Sequence, residues 1–322
     1  MDIVFVILHY LTENETIESV NHIKRNIDTN DYKIIIVDNY SPNDSYDILR
    51  KEYESDINVE LVKTEENLGF AKGNNVGYRL AKEKYKPDYI VLLNNDVYVK
   101  EKYFLSKLKT EYEKSHFAVA GPGVEDLNGI IEKEPQKWER EFPTIDYCNF
   151  RINDMKERIL FGKLGLYRKV CPFLRTKVNP RLHIFHELET PVAGKKVGSN
   201  YYDVVIHGCC LIFSREYIDN YDGLDERTFM YGEERILFAQ VLGNKQHTVF
   251  MPNIHVFHKG AVATKKATKQ EKGEKQFVRA FERDKLSYEI TKEYLEKFKQ
   301  KNGMELHQWW ETNEKEGNNH VN

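Results

Sequence analysis

The residues of this chain best suited to chemistry are polar groups placed where apolar runs stop. Tyr89 to Val99 reads YIVLLNNDVYV, in which Ile90 to Leu93 give way to Asn94, Asn95 and Asp96 before apolar residues resume. Such a run reads as a strand buried on both faces, and in an open α/β sheet the carboxyl ends of the strands face the ligand crevice. A carboxylate at that tip can hold a metal ion or a sugar. The competing use is a plain polar turn, for which Asn and Asp are common residues. A second acidic feature, Glu233-Glu234, opens a helical pattern. The helix dipole favours ionised carboxylates there, so capping alone also accounts for that pair.

Three further pieces fall at strand ends on the same edge: His9-Tyr10, Asp38-Asn39 and the glycine-rich stretch beginning at Asn67. Their convergence argues for a ligand site more strongly than any one of them does. The chain has no G-x-G-x-x-G, and GFAKG lacks the lysine-serine ending of a P-loop, so neither a dehydrogenase nor a nucleoside triphosphatase is favoured. A pyrophosphate can instead be held through a divalent metal carried by one or two carboxylates, with ligand oxygens and water completing the octahedron. Asp96 suits that task.

The elements that must position these groups alternate in type. Ile3 to Leu8 is a predicted strand, followed by Ile17, Val20, Ile23 and Ile27 at helical spacing; Lys33 to Val37 is the next strand, before a helix carrying Ile48, Leu49 and Tyr53. Val59 to Val62 follows, then NLGFAKGNNVGYRLA, whose glycines predict a loop before a helix begins at Val76. After the 89–99 stretch come a helix through Phe104, Leu105, Leu108 and Tyr112 and a strand at Phe117 to Ala120. Five strands alternating with four helices imply an α/β domain with a mostly parallel sheet. Residues 122–200 lose this periodicity, and they read either as acceptor-covering insertion or as a helical subdomain with its own small core. Order returns with the apolar strand Asp203 to Ser214, interrupted at His207-Gly208, a helix ending near Gly243, and strand-like pieces at His247 to Met251 and Ile254 to Phe257. The run from Lys259 to Lys275 contains six lysines, ahead of a long amphipathic helix marked by Phe277, Phe281, Tyr288, Leu295 and Phe298, and the tail EKEGNNHVN reads as disordered. The expected organisation is a ligand-binding α/β half at 1–121, a second half of the same domain at 122–260, and a basic loop, helix and tail at 261–322.

The chain has 322 residues, 40% hydrophobic and 31% charged, with a net charge of -3, so a nucleic-acid partner is not expected. Cys148, Cys171, Cys209 and Cys210 show no C-x-x-C spacing and read as reduced thiols of a cytoplasmic protein. The N-terminus has no basic region before its short apolar run and reads as a first strand, not a signal peptide. No window is long and apolar enough to span a membrane. The lysine-rich stretch and the following helix serve either as a solvated connector or as a peripheral contact with anionic lipid at the inner face of the cytoplasmic membrane.

VDNYSPNDS, ENLGFAKGNN, LLNNDV and GLDERTFMYGEE, in this order and spacing, resemble the inverting glycosyltransferases of family 2 with a GT-A fold, particularly the rhamnosyltransferase-like branch of bacterial polysaccharide synthesis. The resemblance is thinnest between 125 and 200. It implies a Rossmann-like, mostly parallel sheet flanked by helices, with a C-terminal helical extension. It also implies a nucleoside-diphosphate sugar donor, such as dTDP-rhamnose or a UDP-sugar, and a saccharide or lipid-linked acceptor in surface polysaccharide or capsule synthesis. By the same resemblance Asp38 recognises the base, and the donor-binding set is His9, Tyr10, Asp38, Asn39, Asn67, Gly69, Gly73 and Asn95. Asn94-Asn95-Asp96 stands where the family carries an aspartate-x-aspartate metal motif. Asn94 replaces the first aspartate, which leaves Asp96 as the expected contact for a divalent Mn or Mg ion, joined by His258. Glu234 matches the catalytic base, with Glu233 its neighbour, where the family usually has Glu-Asp. The loss of an anionic ligand at Asn94 also admits a non-catalytic nucleotide-sugar or glycan-binding protein. A sugar nucleotidyltransferase is disfavoured by the missing glycine-rich phosphate signature near the N-terminus.

Overall fold

The period-two alternation of the apolar runs separates two cores. In the computed structural model, which describes residues 1–167, 190–260 and 274–315, strand β1 (Ile3–His9) sends Val4 and Val6 into one core and Ile3, Phe5 and Ile7 into the other. Strands β2 (Tyr32–Asp38), β3 (Val59–Lys63) and β4 (Tyr89–Asn94) extend the sheet on either side of it, with β1 pairing β2 and β4 in parallel and β2 pairing β3 in parallel. Both faces of β1 and β4 are thereby buried, which is why their runs are almost purely apolar, whereas β3 stands at the sheet edge, partly exposed, and carries Glu60 and Lys63.

The other strands are β5 (Val97–Val99), β6 (Val119–Glu125), β7 (Lys195–Val197), β8 (Asn200–Tyr202), β9 (Cys210–Phe213) and β10 (Thr248–His258). The order across the sheet is β3-β2-β1-β4-β9-β6-β10-β8-β7, with β5 on β10. The long registers are parallel, including β6 with β10, while β9 is inserted antiparallel between β4 and β6. That insertion carries the segment before β9 to the end of β4, where Asn94 N donates to the Cys209 carbonyl at 3.0 Å.

Helices α1 (Glu13–Asn26), α2 (Ser45–Glu52) and α4 (Phe104–Ser115) cover one face through Val20, Ile23, Leu49, Phe104, Leu105 and Leu108. The other face is covered by α3 (Gly69–Leu80), α5 (Ile145–Lys163), α7 (Glu233–Gly243) and α8 (Glu274–Asn302), with α6 (Arg215–Ile218) a single turn after β9. The glycine-rich stretch is helical from Gly69 onward, where a loop to Val76 is expected from sequence. Its glycines serve close packing: a Cβ at Gly73 would lie 2.7 Å from Leu8 Cδ1, and one at Gly77 would lie 2.4 Å from Val6 Cγ1.

Several expectations are refined. The unpatterned region contains the 19-residue α5, packed on α8 through Tyr147 and Tyr288, whose ring centroids are 5.9 Å apart. Only Cys210–Phe213 of the 203–214 run is strand, whereas the two pieces at 247–257 are one strand with a register shift between Met251 and His255. Helix α9 (Leu306–Lys315) follows α8, and its Trp310 Nε1 donates to Asp203 Oδ2 at 2.9 Å; residues 316–322 of the tail expected to be disordered lie outside the described residues. Cys148, Cys209 and Cys210 are buried free thiols; Cys171 and the lysine-rich stretch 261–273 lie outside the described residues. Among the described residues no helix is long and apolar enough to cross a membrane.

Candidate functional site

At the carboxyl ends of β1 and β2, polar side chains are buried and bonded in an ordered chain. His9 is fully buried, with Nδ1 2.7 Å from Thr16 Oγ1 and Nε2 2.9 Å from Ser45 Oγ. It thereby joins α1 to α2, a positioning role, and its Nε2 stands 3.7 Å from Asp38 Oδ2. Asp38 is fully buried as well: Oδ1 accepts from Ser41 N at 3.0 Å, whereas Oδ2 has no hydrogen-bond partner. A buried carboxylate oxygen without a donor is costly, and a ligand N–H is the kind of group that removes the cost. Tyr10 is half-buried beside it, and its carbonyl accepts from Thr12 Oγ1 at 3.4 Å.

Asn39 fixes the start of α3. Its Nδ2 donates to Asn67 Oδ1 at 3.2 Å and to the Gly69 carbonyl at 3.1 Å, while its Oδ1 accepts from Leu68 N at 2.9 Å. Both side-chain ends are committed within the protein, so Asn39 shapes this wall and leaves the contact surface to its neighbours. Gly69 has φ +78°, and a Cβ there would meet the Phe229 carbonyl at 2.2 Å. The 229 loop therefore closes directly onto the helix start, fastened by Phe70 N donating to the same carbonyl at 2.6 Å.

At the end of β4 the triplet divides its labour. Asn95 is buried and donates to Thr12 Oγ1 at 2.6 Å and Thr16 Oγ1 at 3.1 Å, which ties it into the His9 network. The Asn94 side chain makes no hydrogen bond to a described residue. Asp96 is buried and faces β10, its Oδ1 3.4 Å from His258 Nε2. That ring nitrogen is itself buried without a hydrogen bond. Among the described residues no group of three or more His, Cys, Asp and Glu side chains is placed to hold a metal. The pair still fits a divalent ion that draws its other ligands from phosphate oxygens and water, as oxygen-seeking cations do.

The acid pair stands across from it. Tyr231 (φ 77°) and Gly232 (φ 88°) turn the chain into α7 through two consecutive left-handed residues, and a Cβ at Gly232 would meet Ser287 Oγ of α8 at 2.3 Å. A tyrosine held in that region signals a constrained turn. Glu233 points inward: Thr228 Oγ1 donates to its Oε1 at 2.9 Å, and burial, with Glu234 adding, pushes its carboxyl up to about 7. Glu234 instead packs on Gly208, where a Cβ would lie 2.6 Å from its Oε1.

Sequence reasoning passed over the residues that connect these two ends. The His207 ring lies 6.1 Å from that of His258 and 5.9 Å from that of Trp138. Its Nδ1 accepts from Cys209 N at 3.1 Å, so the neutral ring carries its proton on Nε2. Burial lowers its pKa foremost, with His258 adding and Glu234 opposing. Buried Glu139 completes the wall: its Oε2 accepts from Gln136 N at 2.7 Å, and burial, aided by Glu132 and Glu234, raises its carboxyl to about 8. The polar break at His207-Gly208 inside an apolar run was a visible signal, whereas Trp138 and Glu139 lie where no periodicity marks them.

The family model described as glycosyl transferase family 2 matches residues 4–179, more than half of the chain. No curated protein matches. Similar solved structures include S. aureus TarS 1-349 in complex with UDP-GlcNAc, 21% identical with a TM-score of 0.36 over 44% of this chain and 39% of that one. TarS 1-349 in complex with UDP is 13% identical, with a TM-score of 0.48 over 87% of this chain and 65% of that one. GalNAc-T7 with UDP, GalNAc and Mn2+ is 13% identical, with a TM-score of 0.52 over 80% of this chain and 44% of that one. The chain thus spans between 39% and 65% of these proteins' own lengths. The likeness is one of fold, and that fold is GT-A-like.

Proposed function

The chain belongs to glycosyl transferase family 2, and from that premise we propose that it transfers a sugar, with inversion, from a nucleoside-diphosphate sugar to an acceptor hydroxyl. The observation that carries the proposal is the placing of Asp96–His258 and Glu234 about one short segment: the His207 ring meets His258 while Glu234 rests on Gly208. An inverting transfer needs a base on the face opposite the departing diphosphate. Glu234 takes the acceptor's hydroxyl proton; the acceptor oxygen bonds to the anomeric carbon, and the bond to the diphosphate oxygen breaks with its electron pair leaving on the diphosphate. Asp38, through its unpartnered Oδ2, accepts from the nucleobase, with Tyr10, Asn67, Gly69 and Gly73 forming the wall that His9, Asn39 and Asn95 hold in place. Asp96 and His258 would hold the Mn or Mg ion, which when bound offsets negative charge on the diphosphate.

Residues 1–121 then supply the donor side and 122–260 the acceptor side. The donor is dTDP-rhamnose or a UDP-sugar, and the acceptor a saccharide or lipid-linked saccharide of bacterial surface polysaccharide such as capsule, elongated at the inner face of the cytoplasmic membrane. These finer assignments rest on the motif resemblance. A thermal-shift panel of nucleoside-diphosphate sugars with Mn2+ tests the reading, because a bound donor stabilises the folded state in proportion to its occupancy. At least one donor should raise Tm in a metal-dependent way, and a panel with no response would refute it.

A further inference from the structure

We infer that Arg235, with Arg151 beside it, forms a binding site for a phosphate group carried by the acceptor. Arg235 follows Glu234 and is turned from it by about 100° on the helix. Its guanidinium carbon lies 5.7 Å from the centroid of the Trp138 ring and 5.5 Å from that of Tyr288. It makes no hydrogen bond or ion pair with any described residue, and its Nε is buried without a partner. Arg158, by contrast, bonds Asp154 at 2.8 Å, and Arg227 pairs with Asp225 and Glu293. Arg151 shares the aromatic mount, 4.9 Å from the Tyr288 centroid, and donates to Tyr147 Oη at 3.0 Å; its Nε is also buried and unpartnered. Asp284 is the acid that senses these arginines, yet it forms no ion pair with any of them, and burial raises its pKa against their pull.

Two cations held by aromatic faces, each with a buried Nε left unpartnered, match the geometry of a tetrahedral oxyanion, which guanidinium groups bind through paired N–H bonds. Trp138 gives the site its place in the reaction. The ring that meets Arg235 also meets His207, next to the Gly208 against which Glu234 packs. An acceptor lying along Trp138 with its hydroxyl at Glu234 would bring a neighbouring phosphate to Arg235. The inference rests on Glu234 being the acceptor-side base.

The test is a titration of metal-free protein, labelled with 15N at arginine Nε, with glycerol 3-phosphate, inorganic phosphate and uncharged glycerol. The Arg235 Nε–H signal, identified by its loss in Arg235→Gln, should shift saturably with both phosphates and not with glycerol. Binding should weaken about tenfold to a hundredfold in Arg235→Gln, as expected for losing charge-assisted bonds. Arg235→Lys, which keeps the charge in the aromatic mount, guards against a folding artefact: it should melt with the parent protein and still bind phosphate more weakly. Exposed Arg50→Gln should bind as the parent does. An Arg235 signal unmoved by phosphate, or equal phosphate affinity in the parent and Arg235→Lys, would overturn the inference and leave the stacked arginine a purely structural cation. Neither result depends on donor turnover, so the transferase reading stands or falls separately.

Discussion

His258 Nε2 stands 3.4 Å from Asp96 Oδ1, joining the last residue of β10 to the carboxylate just past β4. The nitrogen is buried and has no hydrogen-bond partner, so a carboxylate and an imidazole converge at the place where a diphosphate is proposed to lie. Replacing Asp96 with Asn should abolish the Mn2+-dependent part of any donor-induced rise in Tm, and His258→Ala should weaken it. Thermal shifts with and without Mn2+ check this, and a metal response unchanged in Asp96→Asn would remove Asp96 from the ion's shell.

Asp38 should be read by the base. Asp38→Asn keeps the side chain's size and, with its oxygen accepting from Ser41 N, exchanges the unpartnered Oδ2 for an N–H donor. Donor affinity measured by calorimetry should fall about tenfold to a hundredfold, with the same loss for the nucleoside diphosphate alone. Equal loss for the sugar-free nucleotide separates base recognition from sugar recognition.

The glycines of α3 make a stability prediction. A Cβ at Gly77 would lie 2.4 Å from Val6 Cγ1 and 2.9 Å from Val37 Cγ2, both in the closely packed sheet. Overpacking of this kind costs about 1–3 kcal/mol, at about 2–4 °C of Tm per kcal/mol for a chain of this size. Gly77→Ala should therefore melt several degrees lower, whereas Gly129→Ala, despite its positive φ, meets nothing within 4 Å and should disturb packing less.

These glycines also mark where sequence reading reached its limit. The strand tips were legible because buried parallel strands are nearly all apolar, so His9, Asp38 and Asn94 to Asp96 interrupt an otherwise uniform pattern. Gly69, Gly73 and Gly77 were visible too, but composition alone does not distinguish glycine used for a loop from glycine used to let a helix touch a sheet. The Asp96–His258 approach depends on β10 returning beside β5, where His258 pairs with Val97. Trp138 and Arg235, distant in sequence, meet with the guanidinium carbon 5.7 Å from the ring centroid, a contact that no local periodicity announces.

The buried acids predict a pH dependence. Glu233 and Glu139 have folded-state pKa values raised from 4.5 to about 7 and about 8, chiefly by burial. An acid with a raised folded pKa binds its proton more tightly when folded, so stability is greatest below about 4.5 for these groups and is lost as pH rises through about 7 and then about 8. Glu139→Gln retains an acceptor for Gln136 N while removing the charge. Its Tm should fall less steeply than the parent's across that window, and parallel Tm curves would show that Glu139 does not carry the effect.

Whether Glu234 is the base of a sugar transfer is decided by acceptor-dependent release of nucleoside diphosphate from the donor that stabilises the protein, measured for the parent chain and for Glu234→Gln. The parent should give release and a glycosylated product, and the variant a rate reduced by about 10²–10⁴, as for loss of a general base, with donor binding retained. Normal turnover by Glu234→Gln, or no release by the parent with any donor it binds, would contradict it.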